Sequence, residues 1–248
     1  MFPSMRIVFE DEHLIALDKP AGIPSTSLRP AEEGTVAAWL LKRHPLQAKL
    51  PDGQREAGLV NRLDNDTSGI ILAAKTDESL SNLRAQFAGG TVRKEYEALV
   101  VGIPPDESSI DAPIAHHPRK KHRMVACESQ ARTEEWKGRS ASTAFGVIER
   151  FTYKQGNAMY PYALLRVSIS TGVRHQIRVH LAHMGFPIAG DTLYRNPRKR
   201  ASDPLNPKRH FLHASKLEIA HPVSGKRLAF EAERPPDLKE LLALLQKA

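Results

Sequence analysis

The chain has 248 residues, 41% hydrophobic and 26% charged, which excludes a disordered, collagen-like or fibrous protein; one cysteine, Cys127, excludes an intramolecular disulfide and a cysteine-built metal cage. No apolar run reaches the ~18 residues of a membrane span and the segment 1–6 is not a secretory leader, so a cytoplasmic protein with no membrane partner is expected. Lysine and arginine number 36 against 28 acidic residues, and the resulting charge of +8 favours a polyanionic partner such as nucleic acid.

In chain order, Ile7–Phe9 and Leu14–Leu17 are short apolar runs parted by Glu10–His13 and predict a hairpin. Lys19–Pro24 follows as a rigid loop, because two prolines and a glycine in six residues forbid regular structure. A short helix is predicted from Thr35 through Val36, Trp39, Leu40 and Leu41, then irregular chain around Pro45 and Pro51. Ile70–Ala74 has the length of a buried strand. Thr76-Asp77-Glu78 is a helix start, a capping hydroxyl followed by acids at the positive end of the dipole. Leu80, Leu83 and Phe87 give that helix its buried face and Gly89-Gly90 its end. Val92–Val101 reads as a strand with Tyr96, Ala98 and Val100 on one side, and further strands are predicted over Ala144–Phe151, Ala163–Ser170, Phe211–Ile219 and Arg227–Ala232. Between them Thr171-Gly172 opens a predicted helix with Ile177, Leu181 and Met184 at helical spacing, and a last helix starts near Pro236-Asp237. Strands dominate without regular alternation with helices, which predicts the α+β class. No repeat or long linker interrupts the chain, so a single domain over residues 1–248 is expected.

Chemistry concentrates in two places. Residues 61 to 69, Asn-Arg-Leu-Asp-Asn-Asp-Thr-Ser-Gly, form a polar block between apolar runs. An Asp beside an Arg stays ionised, and Asp64 in that state can act as nucleophile, base or metal ligand. The alternative is a local turn in which Asp64 or Asp66 accepts backbone amides. Residues 171 to 183 carry Arg174, His175 and Arg178, which helical spacing would bring together away from the leucines, ready for a phosphate or a carboxylate. His180 and His183 lack an acidic or cysteine partner nearby for a metal. Tyr96 is ordinary strand packing unless its sheet face also carries Asp64. Arg119–Arg123 and Arg195–Arg209 are basic stretches without aromatic interleaving, which suits phosphate contact more than base stacking.

Taken together and in order, these segments resemble the RluA-type family of RNA pseudouridine synthases. The family's His-Arg-Leu-Asp-x-x-Thr-Ser-Gly pattern matches residues 61 to 69 with Asn61 in place of histidine, and its Lys-Pro-x-Gly loop matches Lys19 to Gly22. Its Lys-x-Tyr strand matches Lys94 and Tyr96. Its Thr-Gly-Arg-x-His-Gln-Ile/Leu-Arg segment matches residues 171 to 178 with Val173 in place of arginine, and Gly190-Asp191 with Leu193-Tyr194 resembles its Gly-Asp-x-x-Tyr segment. The resemblance implies one catalytic domain built on a mixed, largely antiparallel sheet with a central RNA-binding cleft. It implies isomerisation of uridine to pseudouridine in rRNA or tRNA, with no metal and no organic cofactor. Asp64 would be the catalytic aspartate, Arg178 the arginine that ion-pairs with it, and Tyr96 the tyrosine that stacks on the base. Arg62 would fill the space of a flipped nucleotide, and Thr67, Arg174, Ile177 and Lys19 would complete the substrate site. The residues leave open whether Asp64 forms a covalent adduct or assists removal of a ribose proton. A monomer is expected, with no DNA partner and no separate RNA-binding domain ahead of the first hairpin. The rivals are a non-catalytic RNA-binding protein on the same scaffold and a metal-dependent nuclease using Asp64 and Asp66.

Overall fold

The computed structural model describes residues 5–29, 32–195 and 203–247. The first half of the chain builds β1 (Arg6–Glu10), β2 (Leu14–Lys19), α1 (Val36–Arg43), α2 (Gly53–Glu56), β3 (Ser68–Ala74), α3 (Asp77–Ala88), β4 (Arg93–Val101), β5 (Glu107–Asp111), β6 (Ile114–His116) and β7 (Met124–Ala126). The second half builds α4 (Gln130–Glu135), β8 (Ser142–Gln155), β9 (Ala158–Ile169), α5 (Gln176–His183), β10 (Leu212–Ala220), β11 (Arg227–Glu231), α6 (Pro236–Ala243) and β12 (Gln246–Lys247). These elements form two compact units, residues 1–94 with 213–235, and residues 95–212 with 236–248. The class is α+β, as the irregular succession of strands and helices predicts.

In the first unit the strands run β1-β2-β3-β10-β11, antiparallel at each step except the parallel pairing of β3 with β10. Every residue of β3 is buried, because helices cover both faces of the hairpin sheet around it. The pleat sorts the side chains. Leu14, Ala16, Ile70 and Leu72 face Leu80 and Leu83 of α3, while Ile15, Leu17, Ile71 and Ala73 face Val36 and Leu40 of α1. Both helices begin as predicted: Thr35 accepts the Ala38 N–H at 3.0 Å, and Thr76 accepts the Ser79 N–H at 3.2 Å. Gly69 sits at φ +116° opposite Ala214, whose carbonyl oxygen would lie 2.2 Å from an added Cβ. Only glycine allows that parallel pairing.

In the second unit β4 pairs with β9, β9 with β8, and the far edge of β8 takes β5 near its start and β12 near its end, all antiparallel. β8 and β9 are one long hairpin closed at Gln155 and Ala158, longer at that end than their apolar runs suggest. β6 and β7 form a separate hairpin whose Ile114, Met124 and Ala126 pack with Val173, Val179 and Tyr194. α5 begins at Gln176, not at Thr171-Gly172, because His175 adopts a left-handed backbone at φ 58° that no helix continues through. Among the described residues no helix is long and apolar enough to cross a membrane.

Candidate active site

The polar block of the first unit is a loop held from outside. Ser25 Oγ donates to the Leu63 carbonyl at 2.8 Å and accepts the Leu63 N–H at 3.0 Å. Lys19, fully buried, donates from Nζ to the carbonyls of Pro20, Ile23 and Asn65 at 2.9, 2.8 and 3.0 Å. The Gly22 N–H donates to the same Asn65 carbonyl at 2.8 Å. The segment from Lys19 to Ser25 therefore grips the chain on both sides of Asp64. The turn itself closes through main chain, the Thr67 N–H donating to the Asp64 carbonyl at 3.1 Å. Asp64 is half-buried, Arg62 and Asp66 are exposed, and Thr67 is buried. Asn61 accepts the Leu72 N–H at 2.8 Å and donates to the Ile70 carbonyl at 3.3 Å, so its amide extends the edge of β3. That hydrogen-bonding role needs no titratable ring.

The second constellation surrounds α5. Gln176 Oε1 accepts the Val173 N–H at 3.0 Å and the Thr171 hydroxyl at 2.9 Å. Its amide nitrogen donates to the Ser142 carbonyl at 2.8 Å and to Thr143 Oγ1 at 3.1 Å. The network ends on His180, whose Nδ1 meets Thr143 Oγ1 at 2.9 Å and whose Nε2 donates to the Ala112 carbonyl at 2.9 Å. Burial pushes the His180 imidazole below its ordinary pKa, and the proton sits on Nε2, because a carbonyl can only accept. Both ring nitrogens are committed, which removes the metal reading with His183.

Arg178 is buried and forms a bidentate pair with Asp191, Nε to Oδ2 at 2.7 Å and Nη2 to Oδ1 at 3.0 Å. Asp191 also accepts the N–H groups of Leu193 and Tyr194 at 2.9 and 3.1 Å. Burial alone would raise the Asp191 carboxyl, but the Arg178 guanidinium holds it below the usual carboxylate range. The turn carrying Asp191 is fixed in its own right. Gly190 donates its N–H to Asp203 Oδ2 at 2.6 Å, and at φ +77° it brings its Cα so near the Arg209 carbonyl that a Cβ would meet that oxygen at 2.2 Å.

The structure corrects the expected grouping of Arg174, His175 and Arg178 on one helical face. Arg174 and His175 precede the helix; Arg174 is exposed, with Nε 3.4 Å from His175 Nε2, whereas Arg178 turns inward to Asp191. Val173 is buried in the apolar cluster of the β6–β7 hairpin, and Ile177 is buried in α5. Tyr96 is buried on β4 opposite Val167. Asp64, Arg62, Thr67 and Lys19 thus belong to the first unit, and Tyr96, Arg174, Ile177 and Arg178 to the second. Sequence reasoning missed the anchors Ser25, Gln176 and Asp191; Gly190-Asp191 was a visible signal, a carboxylate on a glycine turn.

Of the basic stretches, the loop between β6 and β7 exposes Arg119, Lys120, Lys121 and His122. Burial, followed by the charges of Arg123, Lys120 and Arg119, lowers the pKa of His117 at its base. Arg209 is neutralised by Asp237 at 2.7 Å, and Arg198 and Lys199 lie outside the described residues.

A family model described as RNA pseudouridylate synthase matches residues 13–183. The ribosomal large subunit pseudouridine synthase D of Pseudomonas aeruginosa is 36% identical, covering 98% of this chain and 72% of its own length. The protein of the same name from Nitrosomonas europaea is 37% identical, with 98% of this chain and 65% of its own length covered. The chain thus spans about two thirds of the length of these curated relatives. The solved structure titled Human RNA Pseudouridylate Synthase Domain Containing 1 superposes with a TM-score of 0.73 over 100% of this chain and 92% of that chain at 22% identity, a likeness of fold.

Proposed function

This chain belongs to the RNA pseudouridylate synthase family, and from that premise we propose that it converts uridine to pseudouridine in ribosomal RNA with Asp64 as the catalytic carboxylate. It is an isomerase acting on RNA; the ribosomal target is proposed from the names of its relatives.

One observation carries the assignment to Asp64: the buried grips of Ser25 on Leu63 and of Lys19 and Gly22 on Asn65. They fix the main chain on either side of a part-exposed carboxylate, the kind of placement a reacting group requires. A protein that only bound RNA through its basic loops would not need it. Breaking the bond between uracil N1 and ribose C1′ develops positive charge at the sugar, and an ionised carboxylate there attacks C1′, stabilises it or takes a ribose proton. The freed base rotates, C5 bonds to C1′, the C5 proton leaves and N1 regains a proton, so the reaction conserves every atom of the nucleotide.

Tyr96 is proposed to stack on the base. Arg178 is proposed as the catalytic arginine, its orientation set by Asp191. Arg62, exposed beside the turn, is proposed to fill the gap left by the extruded nucleotide, since chemistry on a stacked base requires extrusion. Arg174 would meet phosphate, and Ile177 would form an apolar wall. Lys19 and Thr67, both buried, are proposed as positioning residues, their contacts directed at the loop. The family model spans parts of both units, which supports residues 1–248 acting as one catalytic domain. A monomer working in the cytoplasm completes the proposal.

The test is tritium release from large-subunit rRNA labelled at uridine C5, with a chelator present and tRNA in parallel. Release from the rRNA without strand scission is expected. Retained label on intact strands would establish a binder and scission a nuclease; release from tRNA alone would overturn the ribosomal target.

A further inference from the structure

We propose that Arg123 is the receptor for one backbone phosphate of the RNA and that Tyr194 couples this contact to Arg178. The inference rests on the reading of the chain as an RNA pseudouridine synthase and adds to it a phosphate site and a route from that site to the catalytic arginine.

The β6–β7 loop is braced by its own main chain. The His117 N–H donates to the Arg123 carbonyl at 3.0 Å, and the Arg123 N–H donates to the Lys120 carbonyl at 2.8 Å. This bracing leaves residues 119–122 exposed and folds Arg123 back, its Cζ lying 5.4 Å from the centroid of the Tyr194 ring. The Cζ of Arg178 lies 5.2 Å from the same centroid. Both guanidiniums are drawn to the negative face of that ring. Tyr194 is buried and tied at each end. Its hydroxyl accepts the N–H of Met124, the residue after Arg123, at 2.9 Å, and also meets His175 Nδ1 at 2.7 Å. Its own N–H donates at 3.1 Å to Asp191, the carboxylate that grips Arg178. One rigid aromatic side chain therefore joins the basic hairpin to the anchor of the arginine.

The pairing of the arginines says what Arg123 awaits. Arg178 has Asp191, Arg209 has Asp237, and Arg150 has Asp106. Among the described residues Arg123 has no carboxylate partner, and its Nε is buried without a hydrogen-bond acceptor. A buried N–H left unpaired is costly, and a phosphate oxygen supplies both the missing acceptor and the missing negative charge. The exposed Arg119, Lys120 and Lys121 attract the RNA without the buried, oriented donor that Arg123 offers. A phosphate that engages Arg123 weakens its hold on the Tyr194 ring, and the Tyr194 N–H on Asp191 carries that change to the anchor of Arg178.

The test pairs protein and RNA changes. An RNA fragment containing a uridine that the enzyme modifies is made with one neutral methylphosphonate at successive backbone positions. Affinity and the saturating single-turnover rate are measured with wild type, Arg123→Gln and the pair Lys120→Gln with Lys121→Gln. Arg123→Gln is expected to weaken binding about tenfold, to flatten the salt dependence by roughly 0.7, and to lower the saturating rate. At one backbone position the methylphosphonate reproduces these losses in wild type and adds nothing to Arg123→Gln; a merely structural arginine shows no such non-additivity. The lysine pair loses affinity only. Additive losses at every position overturn the phosphate site, and an unaltered saturating rate overturns the coupling. If Arg123→Gln fails to fold, Arg123→Lys carries the same comparison, its non-additivity at one position being the expected result. Activity in an Asp64→Asn protein sinks the parent reading instead, so the two failures are distinct.

Discussion

Arg178 and Asp191 stand or fall together, since each neutralises the other in a place with little water. Asp191→Asn keeps the shape and removes the charge. Breaking a buried ion pair in this way is expected to destabilise the fold by about 3–5 kcal/mol in urea denaturation and to lower kcat by loosening the orientation of Arg178. Two of the depressed groups, both buried, contribute to the pH dependence of stability. His180, neutral by burial, contributes stability that is complete above its ordinary value of 6.5 and declines as the pH falls below it. Asp191, held down by Arg178, contributes stability that is complete above 3.8 and is lost as the pH falls through its lower folded value. Acid unfolding should therefore show a first decline below neutrality and a second at strongly acidic pH, and Asp191→Asn should weaken the second, to which Glu10 and Asp11 also contribute; stability independent of pH from 7 to 3 would contradict both assignments. At this scale the candidate site residues were legible because they sit in ordered motifs, while their anchors were not. Nothing local marks Ser25 as the clamp on Leu63, because that bond joins residues 38 apart in sequence. Val173 looked like a missing cation and is a core side chain.

Among the elements, the loop from Lys19 to Pro24 does most to place the site, and Lys19 is its centre. Lys19→Met keeps the stem but strips the Pro20 and Ile23 carbonyls of the lysine donor and leaves the Asn65 carbonyl with the Gly22 N–H, which is expected to cost about 3 kcal/mol. Hydrogen exchange should quicken across residues 61–67 before it quickens in β3; exchange unaltered in that loop would deny Lys19 its positioning role. The elements legible in the sequence were those with one buried face and a marked end, as in α1 and α3 with their threonine caps. The start of α5 was misplaced because Ile177, Leu181 and Met184 repeat at helical spacing whether or not the preceding turn is helical. The left-handed His175 and the bonds of Gln176 decide that boundary, and both are tertiary facts. The end of the β8–β9 hairpin was missed since its residues are largely exposed and carry no apolar alternation.

For the whole molecule, the charge of +8 predicts binding that weakens steeply with salt. Replacing Lys120 and Lys121 by glutamine should lower affinity and flatten the dependence of log K on log salt by roughly 0.7 for each phosphate no longer neutralised, leaving the saturating rate intact. A collapsed rate with unaltered affinity would show those lysines to be misassigned. Charge and fold class were legible from composition and the succession of elements, but the division into two units was not, because each unit is assembled from distant stretches of chain. The central claim is that one carboxylate performs the isomerisation, and tritium release by Asp64→Asn tests it most directly, with Asp66→Asn as control and thermal melts of both. Asp64→Asn is predicted to melt within a few degrees of wild type, to bind RNA and to form no pseudouridine over long incubation, while Asp66→Asn stays active. Pseudouridine formed by a folded Asp64→Asn protein would contradict the account.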